Sequence, residues 1–235
     1  MPAREFGRSM TRADEQVRAA VEASFLVELP APVVDRLLTG ATRVDVPAGA
    51  RLYREGDRVQ WALLVAGLAR VYMRSPTGRQ VTVRYVRPGG VLGVATMVGG
   101  PAPVSVAAVL PSSLLMLASG DVGQLVESDP RTGWALVREL DRRLYETLEE
   151  LAGNAFGTVK QRLARHLLDL AVASPPAPRL VAHVTHQELA DATGSVREVV
   201  QRVLRELSRD GLVATTPTSV VVRDPDGLLA AAWRR

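Results

Sequence analysis

Between Thr42 and Leu117 the chain alternates short apolar runs with turn-forming residues. The turn signals, among them residues 47–49 (PAG) and 88–90 (PGG), recur at a spacing typical of an antiparallel sandwich or barrel. LARVYMRS and QVTVRYVR alternate on either side of PTG, which predicts a β-hairpin. VSVAAV and SSLLML predict two further strands. We therefore expect an antiparallel β-domain in this part of the chain.

The segment before these strands has a different texture. Residues 1–12 are polar and charged, which is typical of a disordered tail. Short helical patterns follow, and we expect Pro30 and Pro32 to break them.

After Ser119 the apolar spacing becomes helical. Pro130 stands where the first turn of a helix would tolerate it. Beyond it, apolar or small residues recur three and four apart, which forms a heptad seam. The members of this seam are Val137, Leu140, Leu144, Thr147 and Leu151. A core helix lying on the sheet is one explanation, but a narrow stripe on a helix of about six turns favours a two-stranded dimer helix.

A second helical run, VKQRLARHLLDLAVA, is followed by the proline-rich connector 174–178 (SPPAP). THQELADATGSVREVVQRVLREL then contains two S/T-x-x-E capping boxes, Thr185 with Glu188 and Ser195 with Glu198. Two helix starts ten residues apart, with Gly194 between them, match the spacing of a helix-turn-helix.

The second helix of this pair has two contrasting faces. Its apolar stripe, expected to be buried, consists of Val196, Val200, Val203 and Leu207. The opposite face carries Arg197, Glu198, Gln201, Arg202 and Arg205. Arginine, glutamate and glutamine are side chains that contact base edges in the major groove. A solvated charged face on an ordinary helix hairpin is the alternative, but GLVATTPTSVVVRD adds a hairpin with a polar tip, typical of a DNA-binding wing.

The stretch from Pro88 to Gly120 has no charged residue, which raises three alternatives: a ligand loop, a membrane span or core. Its length would suffice for a bilayer, which needs roughly 20 apolar residues. Four prolines and several glycines interrupt it, so a spanning helix is not expected.

Composition narrows the class of protein. Lys160 is the only lysine among 29 basic residues, so arginine supplies nearly all the positive charge. Arginine suits phosphates and guanine edges, although an arginine-rich proteome would give the same bias. There is no cysteine, which excludes disulfides and cysteine-ligated metal sites. The N-terminus lacks an apolar signal region, so we expect a cytoplasmic protein.

The sequence contains little that indicates an enzyme. His183 and His186 have no carboxylate cluster beside them, so no metal site is expected, and neither G-x-S-x-G nor a Walker loop is present. We therefore expect no catalytic residues and no enzyme activity.

The order of sheet segment, heptad helix, helix-turn-helix and wing resembles the cyclic-AMP receptor/FNR (CRP/FNR) family of bacterial transcription regulators. The resemblance covers roughly residues 24–224 and is carried by PAGARLYREGD, LDRRLYETLEELAGNAF and VTHQELADATGSVREVVQRVLREL. It implies an α+β protein with a cyclic-nucleotide-binding-type β jelly roll, a dimerisation helix and a winged helix-turn-helix. The expected divisions are an N-terminal tail (1–23), a sensor domain (24–128), the dimerisation helix and hinge (129–154) and a DNA-binding domain (155–235).

The resemblance also implies roles for residues. Arg197, Glu198 and Arg202 match the R-E-x-x-x-R recognition pattern and, with Gln201, are expected to contact bases. Thr185, Gln187 and Ser195 fall where the family contacts phosphates. The implied partners are double-stranded DNA, a second copy of the chain and, as a candidate, RNA polymerase.

The sensor segment departs from the family pattern. Members that bind cyclic nucleotides place a glutamate after the equivalent of Leu92-Gly93 and an arginine before a small hydroxyl residue. Here the two positions are Val94 and Val104, and Ser105 alone is kept. On the long helix the adenine-contacting Thr-Ser pair is Thr147-Leu148.

An unpaired phosphate in an apolar pocket costs several kcal/mol. The expected effector pocket therefore takes an apolar or neutral molecule and no cofactor. Its expected residues are Leu92, Gly93, Val94, Val104, Ser105, Thr147 and Leu148.

Other hypotheses stay open at this point. The chain would also suit an effector-independent regulator with a filled pocket, or a cyclic-AMP-responsive regulator with atypical contacts. An enzyme or a cyclic-nucleotide-gated partner subunit is a third class, against which the helix-turn-helix argues.

Overall fold

The computed structural model describes residues 12–75, 80–96, 100–118, 120, 122–174 and 179–233. Of the expected disordered residues 1–12 and the proline-rich connector 174–178, only residues 12 and 174 lie within these ranges. The described helices are α1 (Arg12–Glu22), α2 (Ala31–Thr39), α3 (Val122–Ser128), α4 (Pro130–Phe156), α5 (Val159–Leu170), α6 (His186–Thr193), α7 (Arg197–Arg209) and α8 (Pro225–Trp233), with a 3₁₀ turn at Phe25–Glu28.

Twelve strands are described in three sheets. They are β1 (Thr42–Val46), β2 (Arg51–Tyr53), β3 (Ala62–Ala66), β4 (Ala69–Arg74), β5 (Gln80–Val86), β6 (Val91–Leu92), β7 (Ser105–Ala108), β8 (Ser112–Met116), β9 (Val172–Ser174), β10 (Arg179–Ala182), β11 (Val213–Thr215) and β12 (Val220–Val222). The strand orders are β1-β8-β3-β6, β2-β7-β4-β5 and β11-β12-β10-β9. The architecture is α+β, as the sequence predicts.

The chain divides into two compact units. The first comprises the chain up to Ala69 with Val86–Ala102 and Ala107–Asp141, and the second comprises Arg70–Tyr85, Pro103–Val106 and the chain from Arg142 onward. The β4–β5 hairpin therefore belongs to the same compact unit as the C-terminal elements.

The core of the first unit lies between helices and one face of the β1-β8-β3-β6 sheet. Leu63, Val91 and Leu115 project from that face into a cluster that includes Phe25 and Leu26. The ring of Phe25 packs edge to face on Trp61, with centroids 5.7 Å apart. The N-terminal part of α4 joins this cluster, so the interpretation of that helix as a core element is correct for its first turns.

In the second unit, α5 is the central buried helix. Leu163, Ala164, Leu167 and Leu170 are buried on it. Thr158 caps its N-terminus in a capping box with Gln161, and the break from α4 lies just before, at Gly157. A T-x-x-Q sequence could have located this helix start.

Several predicted boundaries are wrong. Pro32 stands in the first turn of α2 and starts that helix rather than breaking it. The second helical run ends at Leu170, because Val172–Ser174 leaves the helix to pair with β10 as strand β9. Ser174 lies opposite Arg179 in this pairing. The helices α3 and α8 were not predicted from the sequence.

No helix in the described part of the chain is long and apolar enough to cross a membrane.

Candidate nucleic-acid interface and sensor region

The helix-turn-helix consists of α6, a three-residue turn and α7. Thr185 is the N-cap of α6: its hydroxyl accepts the amide N–H of Glu188 at 3.2 Å, and the carboxylate of Glu188 accepts the amide N–H of Thr185 at 2.7 Å. This reciprocal pair is the predicted capping box. Leu189 and Ala190 are fully buried and anchor α6 in the second unit.

The turn between the helices depends on Gly194. Its backbone is left-handed (φ 62°, ψ 32°), a conformation that glycine adopts without strain. The amide N–H of Ser195 then bonds back to the carbonyl of Ala190 at 2.9 Å and closes α6.

The second predicted capping box, Ser195 with Glu198, is wrong. Ser195 belongs to the turn that closes α6, so Val196 becomes the N-cap of α7 and no side chain caps that helix. Val196 is also 57% exposed and is not part of the buried stripe. The buried stripe consists instead of Val200, Val203, Leu204 and Leu207.

The opposite face of α7 is open to solvent. Arg197, Glu198 and Arg202 are exposed, and Gln201 is half-buried. Within the described ranges, no hydrogen bond or ion pair engages the side chains of Arg197, Glu198 or Arg202. Arg205 is turned back along the helix, with its Nε donating to the carbonyl of Gln201 at 3.3 Å. The residues predicted to contact bases therefore lie on one face of α7, where the side chains of Arg197, Glu198 and Arg202 have no partner within the described ranges.

The residues predicted to contact phosphates lie around the start of this motif. Thr185 and Ser195 are half-buried, and Gln187 is exposed. The amide of Gln187 donates to the carboxylate of Asp191 at 3.0 Å, one turn further along α6. All three stand at the N-terminal ends of α6 and α7, where helix dipoles favour anions.

The predicted wing is formed by β11 and β12. Val213 lies opposite Val222 and Thr215 opposite Val220 in an antiparallel ladder. Thr216 and Ser219 close its tip through their hydroxyls, 2.8 Å apart. The wing therefore follows α7 directly, as the sequence predicts.

Arg162 fixes the helix-turn-helix to α5. Its Nε donates to the carbonyl of Thr193 at 3.0 Å, and its Nη1 donates to the carbonyl of Gly157 at 2.6 Å. Burial and the neighbouring charge of Arg165 lower the pKa of Arg162. One side chain thus bonds both the end of α6 and the junction after α4.

The predicted seam on α4 is solvent-exposed. Val137, Leu144 and Leu151 are 54%, 56% and 61% exposed. Leu140 is also exposed, and the hydroxyl of Thr147 donates to the carbonyl of Arg143 at 2.7 Å. Leu148, which the sequence analysis assigned to the effector pocket, is 48% exposed and continues this apolar stripe.

The predicted effector residues are distributed over both compact units. Leu92, Gly93 and Val94 belong to the first unit, whereas Val104, Ser105, Thr147 and Leu148 belong to the second. Val94 is 4% exposed and packs in the helical core cluster. Gly93 has φ +85°, and a Cβ there would stand 3.0 Å from the carbonyl oxygen of Gln60.

Leu92 also lines a cavity of about 550 Å³ in the first unit, beside β1, β2, β3 and β8. The other six predicted effector residues do not line it. Among the described residues, no group of three or more histidine, cysteine, aspartate or glutamate side chains could hold a metal ion.

Two family models match the chain. The cyclic nucleotide-binding domain matches residues 43–129, and the Crp-like helix-turn-helix domain matches residues 161–231.

Several characterised proteins are similar over most of the chain. The transcriptional regulator LdrP of Thermus thermophilus is 33% identical over 178 residues, which cover 74% of this chain and 88% of LdrP. The cyclic AMP receptor protein of T. thermophilus is 32% identical over 193 residues, or 81% of this chain and 88% of that protein. A solved structure of a CRP/FNR-family transcriptional regulator, also from T. thermophilus, has a TM-score of 0.68 at 29% identity, covering 81% of this chain and 98% of that chain. These relatives are transcription regulators and not enzymes.

Proposed function

The chain belongs to the CRP/FNR family of transcription regulators, and on that premise we propose that it is a homodimer that binds specific DNA through α7 and responds to a small molecule other than a cyclic nucleotide. The observation that carries this proposal is the exposed face of α7. Arg197, Glu198 and Arg202 project from it without a partner among the described residues.

DNA recognition follows from the chemistry of that face. Arg197 and Arg202 would donate to guanine O6 and N7, and Glu198 would accept from cytosine N4. Gln201 is the fourth base-contacting residue. Thr185, Gln187 and Ser195 would hold backbone phosphates near the starts of α6 and α7, which sets the register of the helix in the groove.

Dimerisation is inferred from the stripe on α4. A stripe of exposed leucines and a valine is costly in water, and a parallel second helix would bury it. Two copies of α7 would then meet two half-sites of one DNA duplex. The seam of Val137, Leu140, Leu144, Thr147 and Leu151 is the surface that we assign to this contact.

The effector is inferred to be apolar or neutral at its core. Val94 stands where nucleotide-binding members carry a glutamate, and its side chain is taken up by the helical core. Val104 offers no charge to a cyclic phosphate. The cavity beside Leu92 favours a ligand-responsive protein over an effector-independent protein with a filled pocket.

Two further expectations follow from family membership alone. RNA polymerase is the protein partner we expect at promoters, and the site of action is the cytoplasm.

The proposal is tested by selecting DNA duplexes from a random pool with the purified full-length protein. The selected duplex is then titrated with the protein. We expect a two-fold symmetric site and a stoichiometry of two chains per duplex. Selection of no consensus sequence would overturn DNA recognition. Calorimetric titration with cyclic AMP and cyclic GMP should give no binding at micromolar concentration, and saturable binding of either nucleotide would overturn the effector assignment.

A further inference from the structure

A cavity of about 550 Å³ lies inside the first compact unit, between the β1-β8-β3-β6 sheet and strand β2. This volume is within the range of about 300–1,000 Å³ that small-molecule sites occupy. All its lining residues belong to the first unit.

Strand alternation explains why the interior of the cavity is apolar. Successive residues of a strand point to opposite faces of its sheet. Leu63, Val91 and Leu115 enter the helical core cluster, so their neighbours Ala62, Leu92, Leu114 and Met116 line the cavity on the opposite face.

Register aligns these side chains in rows. Met116 lies opposite both Thr42 and Ala62, and Ala62 lies opposite Leu92. Ala62, Leu92 and Leu114 are 4%, 1% and 3% exposed, whereas Val44 on the edge strand β1 is 39% exposed. The apolar lining therefore runs from a buried end to an exposed end.

Charged residues lie on the exposed part of the lining. Arg51 is the first residue of β2, and Arg58 follows in the next turn. Both are exposed, and neither forms an ion pair or hydrogen bond within the described part of the chain. Asp57 also lines the cavity, but its carboxylate is engaged by the amide N–H of Arg54 at 2.7 Å.

We propose that this cavity binds a carboxylic acid with an unbranched alkyl chain. The alkyl chain lies along Leu92, Ala62 and Leu114, and the carboxylate is held by Arg51 and Arg58. Arginine binds carboxylates through two parallel hydrogen bonds, and here both guanidinium groups are uncommitted. A ligand without an acid group would leave them unused, and a cyclic nucleotide would place its polar ring atoms against aliphatic side chains. This inference rests on the proposal that the first unit senses a small molecule. It keeps the apolar body expected of that molecule but replaces a wholly neutral effector with one that carries a single acid group.

The first test is calorimetric titration of the full-length, delipidated protein with hexanoic, octanoic and decanoic acids below their aggregation concentrations. Each methylene that enters the cavity contributes about 0.8 kcal/mol, so affinity should rise about fourfold per added carbon until the cavity is full. Decanol should bind at least about tenfold more weakly than decanoic acid, because it cannot pair with the arginines. The proposal would be overturned if none of the three acids bound saturably, or if decanol and decanoic acid bound with equal affinity.

The second test uses variants of the arginines. Arg51→Gln with Arg58→Gln should weaken binding of decanoic acid by about tenfold or more and leave decanol unchanged. Arg54→Gln is the matched control, because Arg54 is exposed in the same turn, carries the same charge and does not line the cavity. Arg51→Gln and Arg58→Gln are therefore also measured as single variants, each of which loses one charge like the control. Equal losses in Arg54→Gln and in these single variants would show that net charge alone attracts the acid, and the proposed site would be wrong.

A third variant, Ala62→Phe, should fill the buried end and abolish binding of both decanoic acid and decanol. Because this substitution enters a packed region, its circular dichroism and unfolding midpoint are compared with wild type, and the arginine variants decide the question if it fails to fold. DNA binding of the wild-type protein is measured separately, with and without decanoic acid. Absence of sequence-specific DNA binding under both conditions would count against the proposed function, whereas absence of acid binding in a protein that recognises DNA would count against this inference alone.

Discussion

The rings of Tyr85 and His166 pack edge to face, with centroids 5.9 Å apart and an interplanar angle of 84°. Tyr85 is on β5, in the hairpin that the sequence assigns to the sensor segment. His166 is on α5, within the part of the chain that matches the Crp-like helix-turn-helix domain. The contact therefore connects the β4–β5 hairpin with the DNA-binding elements inside the second compact unit.

The surroundings of His166 disfavour its protonation. Burial lowers its pKa to about 4 from the usual 6.5, and the charges of Arg70, Arg165 and Arg162 act in the same direction. A hydrogen bond to the backbone of Ala192, at the end of α6, acts in the opposite direction. Its Nδ1 has no hydrogen-bond partner among the residues the structure describes. Burial also raises the pKa of Tyr85 to about 12, so the facing phenol stays neutral.

We expect the free energy of unfolding to fall as the pH is lowered from 6.5 to 4. His166 takes up a proton near pH 6.5 in the unfolded chain but only near pH 4 in the folded chain, so the unfolded state binds more protons in this window. A gap of this size corresponds to roughly 3 kcal/mol. Urea unfolding across the window measures the slope. His166→Leu should flatten it, while His183→Gln, at an exposed histidine, should retain the wild-type slope. The same slope in His166→Leu as in wild type would contradict the assignment.

Alanine substitutions at the two residues first predicted to be helix caps should differ in their effect on the free energy of unfolding. Thr185→Ala removes an observed N-cap and should lower the free energy of unfolding by about 1 kcal/mol. Ser195→Ala should change stability by less than about 0.5 kcal/mol, because only the backbone of Ser195 serves the turn. Chemical unfolding of both variants measures the contrast. A larger cost for Ser195→Ala would show that its side chain caps α7 in solution.

Local periodicity made the long helix and the helix-turn-helix predictable. The spacing of Leu144 and Leu151, and the capping box at Thr185, depend on residues a few positions apart. The start of α7 was mispredicted because Gly194 permits a turn that takes up Ser195, and nothing in the serine itself distinguishes that turn from a cap. Ser195 could either cap α7 or belong to the turn that closes α6, and only the path of the backbone decides between these two roles.

The missed elements depend on distant partners. Val172–Ser174 is a strand only because β10 pairs with it, and α8, with the sequence PDGLLAAAW, has no amphipathic periodicity to reveal it. For a similar reason, the sequence predicted only one of the residues that line the cavity. Leu92 was predicted to line a pocket, but Arg51 on β2 and Arg58 in the segment after β2 reach the same space only through the tertiary packing of that region, which a sequence pattern does not give.

The stripe on α4 should hold the dimer together. Leu144→Glu places a charge at the middle of the exposed stripe and should shift the protein from dimer to monomer at micromolar concentration. Sedimentation equilibrium measures the change. Glu146→Gln, a charge change of equal size at an exposed position on the other side of the helix, should leave the dimer intact. A dimer that persists in Leu144→Glu would exclude this stripe as the interface.

Arg197 should contribute to the choice of sequence rather than to general attraction for DNA. Arg197→Ala should cost about 1–3 kcal/mol on the preferred duplex and relax the preference at one base pair of each half-site, because a bidentate contact to guanine is lost. Binding to a scrambled duplex should change far less, since its phosphates are the same. Arg209→Ala, an equal loss of charge in the last turn of α7, is the control. Fluorescence anisotropy with both duplexes at one salt concentration separates the effects. A uniform loss on the two duplexes would make Arg197 a phosphate contact, and base recognition would then rest on Glu198, Gln201 and Arg202.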